Sequence, residues 1–304
     1  MIADWAASIV SLSGTPEGAR LATIFALLSA VAHAGFGALQ KGRHDPWLSR
    51  GVIDGWLAAI SAPVAFFLVP WPTTEVLLIL AGALPIHFAY KFSMAMAYER
   101  AAYTVVYPTV RGTGPLVTVL AATVIFNESF TALQWLGVAC LSGGILGLAL
   151  RNLAEEQIDL RALKLALAWA LLGGLTVAIY TTYDAWGIRQ AADPFTFLAW
   201  FFLLTQLDFP FIALWRYRRM AAPPALGPLM LRGIVGAFVA WVSFGGIMLA
   251  TRLDSVGEAA VLRETSTVFA ALIGWLILGE KVGPRRTILM ALVATGAVIV
   301  EMGG

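Results

Sequence analysis

Charge is the scarce ingredient of this sequence. Of its 304 residues only 12% are Asp, Glu, Lys or Arg, against 60% hydrophobic, and the mean hydropathy is +0.81. A water-soluble domain carries roughly a quarter of its residues as charges, so a chain with half that supply turns much of its surface to something other than water. The single cysteine, Cys140 in an apolar stretch, excludes a disulfide framework and a Cys-based metal site. His and carboxylates do not recur at metal-ligand spacing, and no cofactor or metal is implied. A net charge of +2, with no basic run interleaved with aromatics, excludes nucleic acid as an expected partner. There is no P-loop, HExxH or nucleophile elbow, so neither an ATP-driven motor nor an intramembrane enzyme is encoded. Residues 1–18 do not read as a cleavable signal, because Asp4 replaces a basic start and Ile9-Val10 is too short a core.

Long apolar runs, by contrast, are plentiful. A bilayer core of ~30 Å needs about 20 mostly apolar residues per helix. Ten segments qualify, at about 20–40, 48–70, 74–98, 102–126, 131–150, 163–188, 195–215, 227–251, 255–278 and 286–302. The expected fold is therefore an all-α membrane protein of ten transmembrane helices. Eleven Trp, seven Tyr and 29 Gly suit such a bundle, with aromatics at the interfaces and glycines where helices approach closely. Helix punctuation agrees: Asp45-Pro46 and Asp193-Pro194 read as cap plus first turn. Thr131 with Gln134, and Ser255 with Glu258, have capping-box spacing. The one markedly polar linker runs from Arg151 to Lys164 near the middle of the chain.

Cytoplasmic loops retain Lys and Arg. Loops after odd-numbered spans, with the adjoining helix ends, hold fourteen basic residues, among them Lys41, Arg43, Arg216, Arg218 and Lys281; the opposite side holds three, Arg20, Arg189 and Arg252. Odd loops are thus expected in the cytoplasm and both termini outside. The halves also resemble each other at an offset of 152 residues: Phe92 with Phe244, Arg111 with Arg263, Thr113 with Thr265, Glu128 with Glu280, Gly144 with Gly296. Five spans per copy is odd, so the second copy inserts upside down. The expected organisation is an N-terminal tail 1–19, a first repeat 20–150, a linker 151–162 and an inverted second repeat 163–304, the architecture of alternating-access carriers.

Each ionisable group deep in a bilayer helix costs ~2.5–3.5 kcal/mol on insertion scales and needs a reason. Arg111 lies near the midplane of its helix, between Tyr107-Pro108 and Gly112, Gly114 and Pro115, residues that weaken the backbone ladder. Two readings stay open there: the wall of a polar cavity that meets an anionic substrate group, or a structural Arg111–carboxylate pair between the halves. Arg263 and Glu264 are its counterparts, and being adjacent they point about 100° apart and cannot readily pair with each other. Arg263 is expected to line the cavity, Glu264 to pair. Glu258 is assigned to its capping box. His87, Tyr90 and Lys91 share one arc, with Lys91 able to snorkel. Tyr180, Tyr183 and Asp184 share another, with Asp184 either a proton carrier or a partner of Arg189. Asp54 is placed to pair with Arg50 four residues earlier. His33 sits on a helix of small residues suited to close packing. The expected substrate-binding set is His33, His87, Tyr90, Tyr107, Arg111, Trp169, Tyr180, Tyr183 and Arg263, with His33, Asp184 and Glu264 as proton-coupling candidates.

At these residues the chain resembles the drug/metabolite transporter superfamily in its ten-helix EamA-type branch. The resemblance covers nearly the whole chain. It rests on Tyr107-Pro-Thr-Val-Arg111-Gly-Thr-Gly-Pro115, on Leu262-Arg-Glu-Thr-Ser266 followed by Ala270-Ala-Leu-Ile-Gly274, and on Glu128 and Leu278-Gly-Glu280. His33-Ala-Gly-Phe36 with Lys41, and His87 with Tyr90, are similar to a subgroup labelled phosphonate-utilisation-associated membrane proteins, although Phe36-Gly37 stands where that subgroup has Trp-Asn. The resemblance implies secondary transport, chiefly export, of amino acids or similar small metabolites across a bacterial inner membrane. Two other readings remain: an uptake carrier for such molecules, and a non-transporting membrane scaffold or lipid-interaction protein whose buried charges are structural. The expected partners are a small-molecule substrate and the lipid bilayer, with monomer and homodimer both open.

Overall fold

The structure, a computed structural model, describes residues 2–40, 45–101, 103–155, 160–276 and 283–303. Among these, every regular element is a helix. In chain order they are α1 (Ile2–Leu12), α2 (Pro16–Gln40), α3 (Pro46–Pro63, extended by a π-helical turn Val64–Leu68), α4 (Thr74–Tyr98), α5 (Tyr103–Ile125), α6 (Ala132–Glu155), α7 (Leu160–Gln190), α8 (Pro194–Leu204), α9 (Asp208–Arg219), α10 (Leu226–Leu253), α11 (Val256–Glu264), α12 (Ser266–Leu276) and α13 (Pro284–Met302). Among the described residues seven helical stretches are long and apolar enough to cross a membrane, one of them joining α8 and α9 over Pro194–Arg219; Ile2–Leu12, Thr109–Ile125 and Thr287–Met302 are shorter apolar helices. Lys41, Arg43, Lys281 and Leu278-Gly-Glu280 lie outside the described residues.

The caps form where the sequence places them. The Asp45 carboxylate accepts from the amides of Trp47 and Leu48, and that of Asp193 from Phe195 and Thr196, satisfying donors that a first turn leaves free. Thr131 and Gln134 make the full reciprocal box, at 3.0 and 3.2 Å. The other box is only half made. Ser255 Oγ accepts from the Glu258 amide at 3.3 Å, but the Glu258 carboxylate turns to Gln134 Nε2 at 2.6 Å. Glu128, from the far half of the chain, caps α11 instead: it accepts from Ser255 Oγ (2.8 Å), the Val256 amide (2.7 Å) and the Gly257 amide (3.0 Å). A carboxylate there also faces the positive end of the α11 dipole.

Two features depart from the sequence reading. Residues 2–12 of the expected tail are the helix α1, with Ala6 and Ile9 buried; the chain turns at Gly14, whose φ of +75° suits glycine, and its amide donates to Leu253 O at 2.9 Å. The second departure concerns the backbone break. The ladder that proline and glycine weaken in α5 still runs unbroken past Arg111, and a break comes at Thr265 between α11 and α12. Here Thr265 Oγ1 donates to Leu262 O at 2.6 Å and Thr267 Oγ1 to Glu264 O at 2.9 Å. Hydroxyls that return to carbonyls of the preceding turn compete with the helical ladder and bend it. A similar break separates α8 from α9, where Thr205 Oγ1 donates to Phe201 O at 2.7 Å and Pro210 cannot donate at all.

Packing is close where side chains are smallest. A Cβ on Gly296 would stand 2.6 Å from Gly137 O, and one on Gly137 2.7 Å from Gly296 O, so α6 and α13 meet backbone to backbone. Elsewhere α4 packs on α7, α10 on α2, α5 on α7, and α11 and α12 on α2.

Candidate functional site

Among the described residues three groups of buried charges each join helices from the two halves of the sequence. In the first, Arg111 of α5 pairs with Glu264 at the end of α11 at 2.7 Å, with 2% and 4% of the side chains exposed. Arg111 Nη2 also contacts His33 Nε2 of α2, and His33 Nδ1 meets Ser243 Oγ of α10 at 3.2 Å. Tyr107 lies under the guanidinium, 5.4 Å from its carbon to the ring centre, and stacks on His33 at 6.1 Å. Four helices are thus held by one buried network. Arg111 is thus engaged by a carboxylate, and that partner adjoins Arg263, its match at the 152-residue offset.

The second group surrounds Lys91 of α4, whose side chain is fully buried. Its Nζ donates to Asp54 Oδ2 of α3 at 3.1 Å, to Thr205 O at the α8–α9 break at 2.7 Å, and to Asp208 Oδ1 at the start of α9. Lys91 therefore does not snorkel to an end; two carboxylates and a freed carbonyl satisfy its three donors in place. Arg50 completes the group at 2.7 Å from Asp54 Oδ1, the pair expected from their spacing. With its amide turned to satisfy both atoms, Gln206 donates to Asp54 Oδ1 at 2.9 Å.

In the third group His87 Nε2 of α4 meets Asp184 Oδ2 of α7 at 2.9 Å. Asp184 is therefore not paired with Arg189. Five residues along a helix is a 140° turn, and Arg189 instead donates to the carbonyls of Thr251 (2.8 Å) and Asp254 (2.6 Å). The second oxygen of Asp184, Oδ1, is buried and has no hydrogen-bond partner among the described residues. Among the described residues the same holds for Tyr180 Oη, for Glu264 Oε2, and for Nε and Nη2 of Arg263, which is only 2% exposed. The Arg263 guanidinium lies over the Phe244 ring, 4.6 Å from its centre.

Two small hollows touch these groups. One, of about 10 Å³, is lined by Arg50, Asp54, His87, Tyr90, Gln206 and Phe244 among others. The other, of similar size, is lined by Tyr180, Thr181, Asp184, Phe244, Thr251 and Arg263 with their apolar neighbours. Each has room for about one water molecule. Phe244 contributes to both and also edges His33 at 6.4 Å. It was not among the expected site residues; its match to Phe92 at the 152-residue offset was its one signal.

The expected residues are thus brought together only in part. His33, Tyr107 and Arg111 share the first network; His87, Tyr90, Tyr180 and Arg263 line the hollows. Tyr183 points elsewhere: its Oη donates to Ile79 O at 3.0 Å, and it lies so close over Gly82 that a Cβ there would come within 2.1 Å. Trp169 packs on Phe92 at 5.8 Å and reaches neither hollow. Asp54, besides its pair with Arg50, and Asp208 both serve Lys91. Among the described residues no cluster of His, Cys, Asp or Glu fit to hold a metal is present.

Both ends of the bundle are also tied between the halves. At one, Arg216 of α9 meets Asp45 at 2.9 Å and Glu99 at 2.6 Å, and Trp47 Nε1 donates to the same Glu99 at 2.7 Å. At the other, Glu128 caps α11 and lies 3.8 Å from Arg189.

None of the curated proteins matches the chain in sequence. Among solved structures 28 chains match; one crystal structure superposes on 93% of this chain and 96% of its own with a TM-score of 0.71, at 17% identity, a likeness of fold alone. The sequence profile of the EamA-like transporter family matches residues 164–302. That is a family of transporters, not of enzymes, and its match completes what the apolar helices and their buried charges indicate. An EamA-like transporter domain thus occupies residues 164–302, and with the long apolar helices it supports an integral multi-pass membrane protein.

Proposed function

We propose that the chain is a secondary transporter that moves a small zwitterionic or anionic metabolite, an amino acid or a close relative, by alternating access. The observation that carries this is the hollow between Asp184 and Arg263. Buried donors left without partners cost about 1–3 kcal/mol each, more when charged, so an arginine with two such nitrogens asks for an anionic group from outside the chain. Its planar fork suits a carboxylate. Asp184 Oδ1 and Tyr180 Oη, equally unpartnered, offer acceptors for an ammonium, and Phe244 an apolar wall. A hollow of about 10 Å³ admits no amino acid until it widens, in keeping with a carrier closed at both ends between two open states.

The packing supports ten spans in two inverted repeats. Counting α8 with α9, and α11 with α12, as single broken crossings gives five spans per half. The contact of α4 with α7 then mirrors that of α10 with α2, and α5 on α7 mirrors α11 and α12 on α2. Arg111 and Arg263 occupy corresponding helices, one in an ion pair and the other, among the described residues, in none. Alternating access would break the Arg216 ties at one end and the Glu128 cap at the other in turn. Export across a bacterial inner membrane, with proton coupling, is assigned on family likeness. Proteoliposomes loaded with the unlabelled proteinogenic L-amino acids test the reading. Labelled amino acids outside should exchange inwards faster than into empty vesicles, and loss of exchange in Arg263→Gln with folding intact locates the site. A protein that exchanges none of them refutes it.

A further inference from the structure

Between the Lys91 group and the Arg263 hollow the buried polar groups form an almost unbroken series. Asp208 touches Lys91, Lys91 touches Asp54 at 3.1 Å, Asp54 lines the first hollow, and so does His87. His87 then meets Asp184 at 2.9 Å, and Asp184 lines the second hollow beside Arg263. Asp208 is the one member of the Lys91 contacts with appreciable exposure, 29% of its side chain, whereas Lys91 and Asp54 have none. The single gap, between Asp54 and His87, is the water-sized first hollow, with Tyr90 and Gln206 on its wall. A water there has the two or more polar partners that a buried water requires.

We propose that this series is a proton path, with Asp208 where the proton arrives, Asp54 as a buried carrier and Asp184 as the terminal acceptor at the substrate hollow. It deepens the transport reading above and rests on it for the use made of the proton. Each step conserves charge. A proton taken up by Asp208 passes to Lys91 as Lys91 gives one to Asp54, so the ammonium is restored. Asp54 releases its proton to the water of the first hollow. His87 accepts from that water on Nδ1 and gives up its other proton from Nε2 to Asp184 Oδ2, then resets by exchanging tautomers. Arg50 and Gln206 hold Asp54 throughout, while Tyr180 and Phe201 flank the His87 ring at 4.9 Å each. From α11, Arg263 faces Asp184 across the second hollow; from α5, Arg111 stays engaged with Glu264. A neutral Asp184 leaves Arg263 the stronger claim on a substrate carboxylate, and an ionised one favours an ammonium, so proton and substrate meet at one residue.

The test uses the purified full-length protein in two arms. In the first, without substrate, infrared difference spectra between acid and alkaline buffer should show protonated-carboxyl bands, one component lost in Asp54→Asn and another in Asp184→Asn. Spectra unchanged in both variants overturn the path. In the second, pyranine-loaded proteoliposomes report proton movement while labelled proteinogenic L-amino acids report transport. Asp54→Asn should slow proton movement about a hundredfold, the scale of losing a positioned proton carrier, and abolish accumulation driven by a pH gradient while amino-acid exchange continues. Because Asp54→Asn leaves Arg50 and Lys91 with surplus positive charge, Asp208→Asn, at the partly exposed member, is the second variant and should show the same split. Proton-driven accumulation that survives in Asp208→Asn overturns the path even if transport is sound. Absence of amino-acid exchange in the wild type, with the carboxyl bands present, refutes the transport reading and leaves the path standing.

Discussion

Arg111 and Glu264 offer the sharpest test of how the two halves are joined. Their side chains are 2% and 4% exposed and lie 2.7 Å apart. Removing one partner strands the other as a buried charge, a cost of about 3–5 kcal/mol in protein interiors. Removing both eliminates the stranded charge and leaves mainly a packing defect. Arg111→Met should therefore destabilise strongly, and so should Glu264→Leu. The double variant should be less destabilised than the sum, with a coupling of about 2–3 kcal/mol, the upper range for residues in one buried network. His33 moderates the Glu264→Leu cost only slightly, since a neutral imidazole accepts one hydrogen bond but supplies no countercharge. The assay is unfolding in mild detergent, followed through tryptophan fluorescence, as a double-mutant cycle. Single variants that cost less than about 1 kcal/mol each and simply add would refute a buried ion pair here.

Other outcomes follow from contacts of different kinds. Glu128→Ala removes three acceptor contacts from the start of α11 and should cost about 1–2 kcal/mol, the scale of losing a helix cap; faster hydrogen exchange at the Val256 and Gly257 amides checks that the loss is local. Gly296→Ala places a methyl 2.6 Å from Gly137 O and should cost about 1–3 kcal/mol by overpacking, whereas Gly143→Ala, with nothing within 4 Å, should leave thermal stability unchanged. Tyr183→Phe deletes one hydrogen bond to Ile79 O away from the hollows, so it should lower stability by about 1 kcal/mol and leave amino-acid exchange intact; a loss of exchange would place it in the site after all.

The sequence made the helices legible because membrane span length and cap chemistry are local properties. Asp45, Asp193 and the Thr131–Gln134 box act within three residues, and Arg50–Asp54 within one helical turn, so spacing alone predicts them. Partners across helices are a different matter. His87 and Asp184 are 97 residues apart, and Lys91 and Asp208 117; which of them meet depends on how each helix is rotated and on which helices are neighbours. Spacing along the chain alone therefore offers Asp184 to Arg189 and Lys91 to the membrane surface. Tyr183 shows the limit of face arguments: it adjoins Asp184, about 100° around the helix, and that rotation takes it from the hollow to α4. The helix break at Thr265 escapes a sequence reading for a related reason. Pro and Gly around Arg111 weaken a ladder without ending it, whereas the hydroxyls of Thr265 and Thr267 compete with the ladder directly. Glu128 looked like a repeat marker and proved to be the cap of a helix more than a hundred residues away, an exchange between halves that spacing alone does not predict.

The most direct test of substrate transport through the Asp184–Arg263 hollow is amino-acid counterflow in proteoliposomes, comparing wild type with Arg263→Gln and Arg263→Lys. Wild type should exchange labelled amino acids across the membrane. Arg263→Gln should fold, as judged by thermal unfolding, but lose exchange, and Arg263→Lys should recover only part of it, because an ammonium keeps the charge but not the two-pronged fit to a carboxylate. Undiminished exchange in Arg263→Gln would contradict the assignment of this hollow as the place where substrate binds.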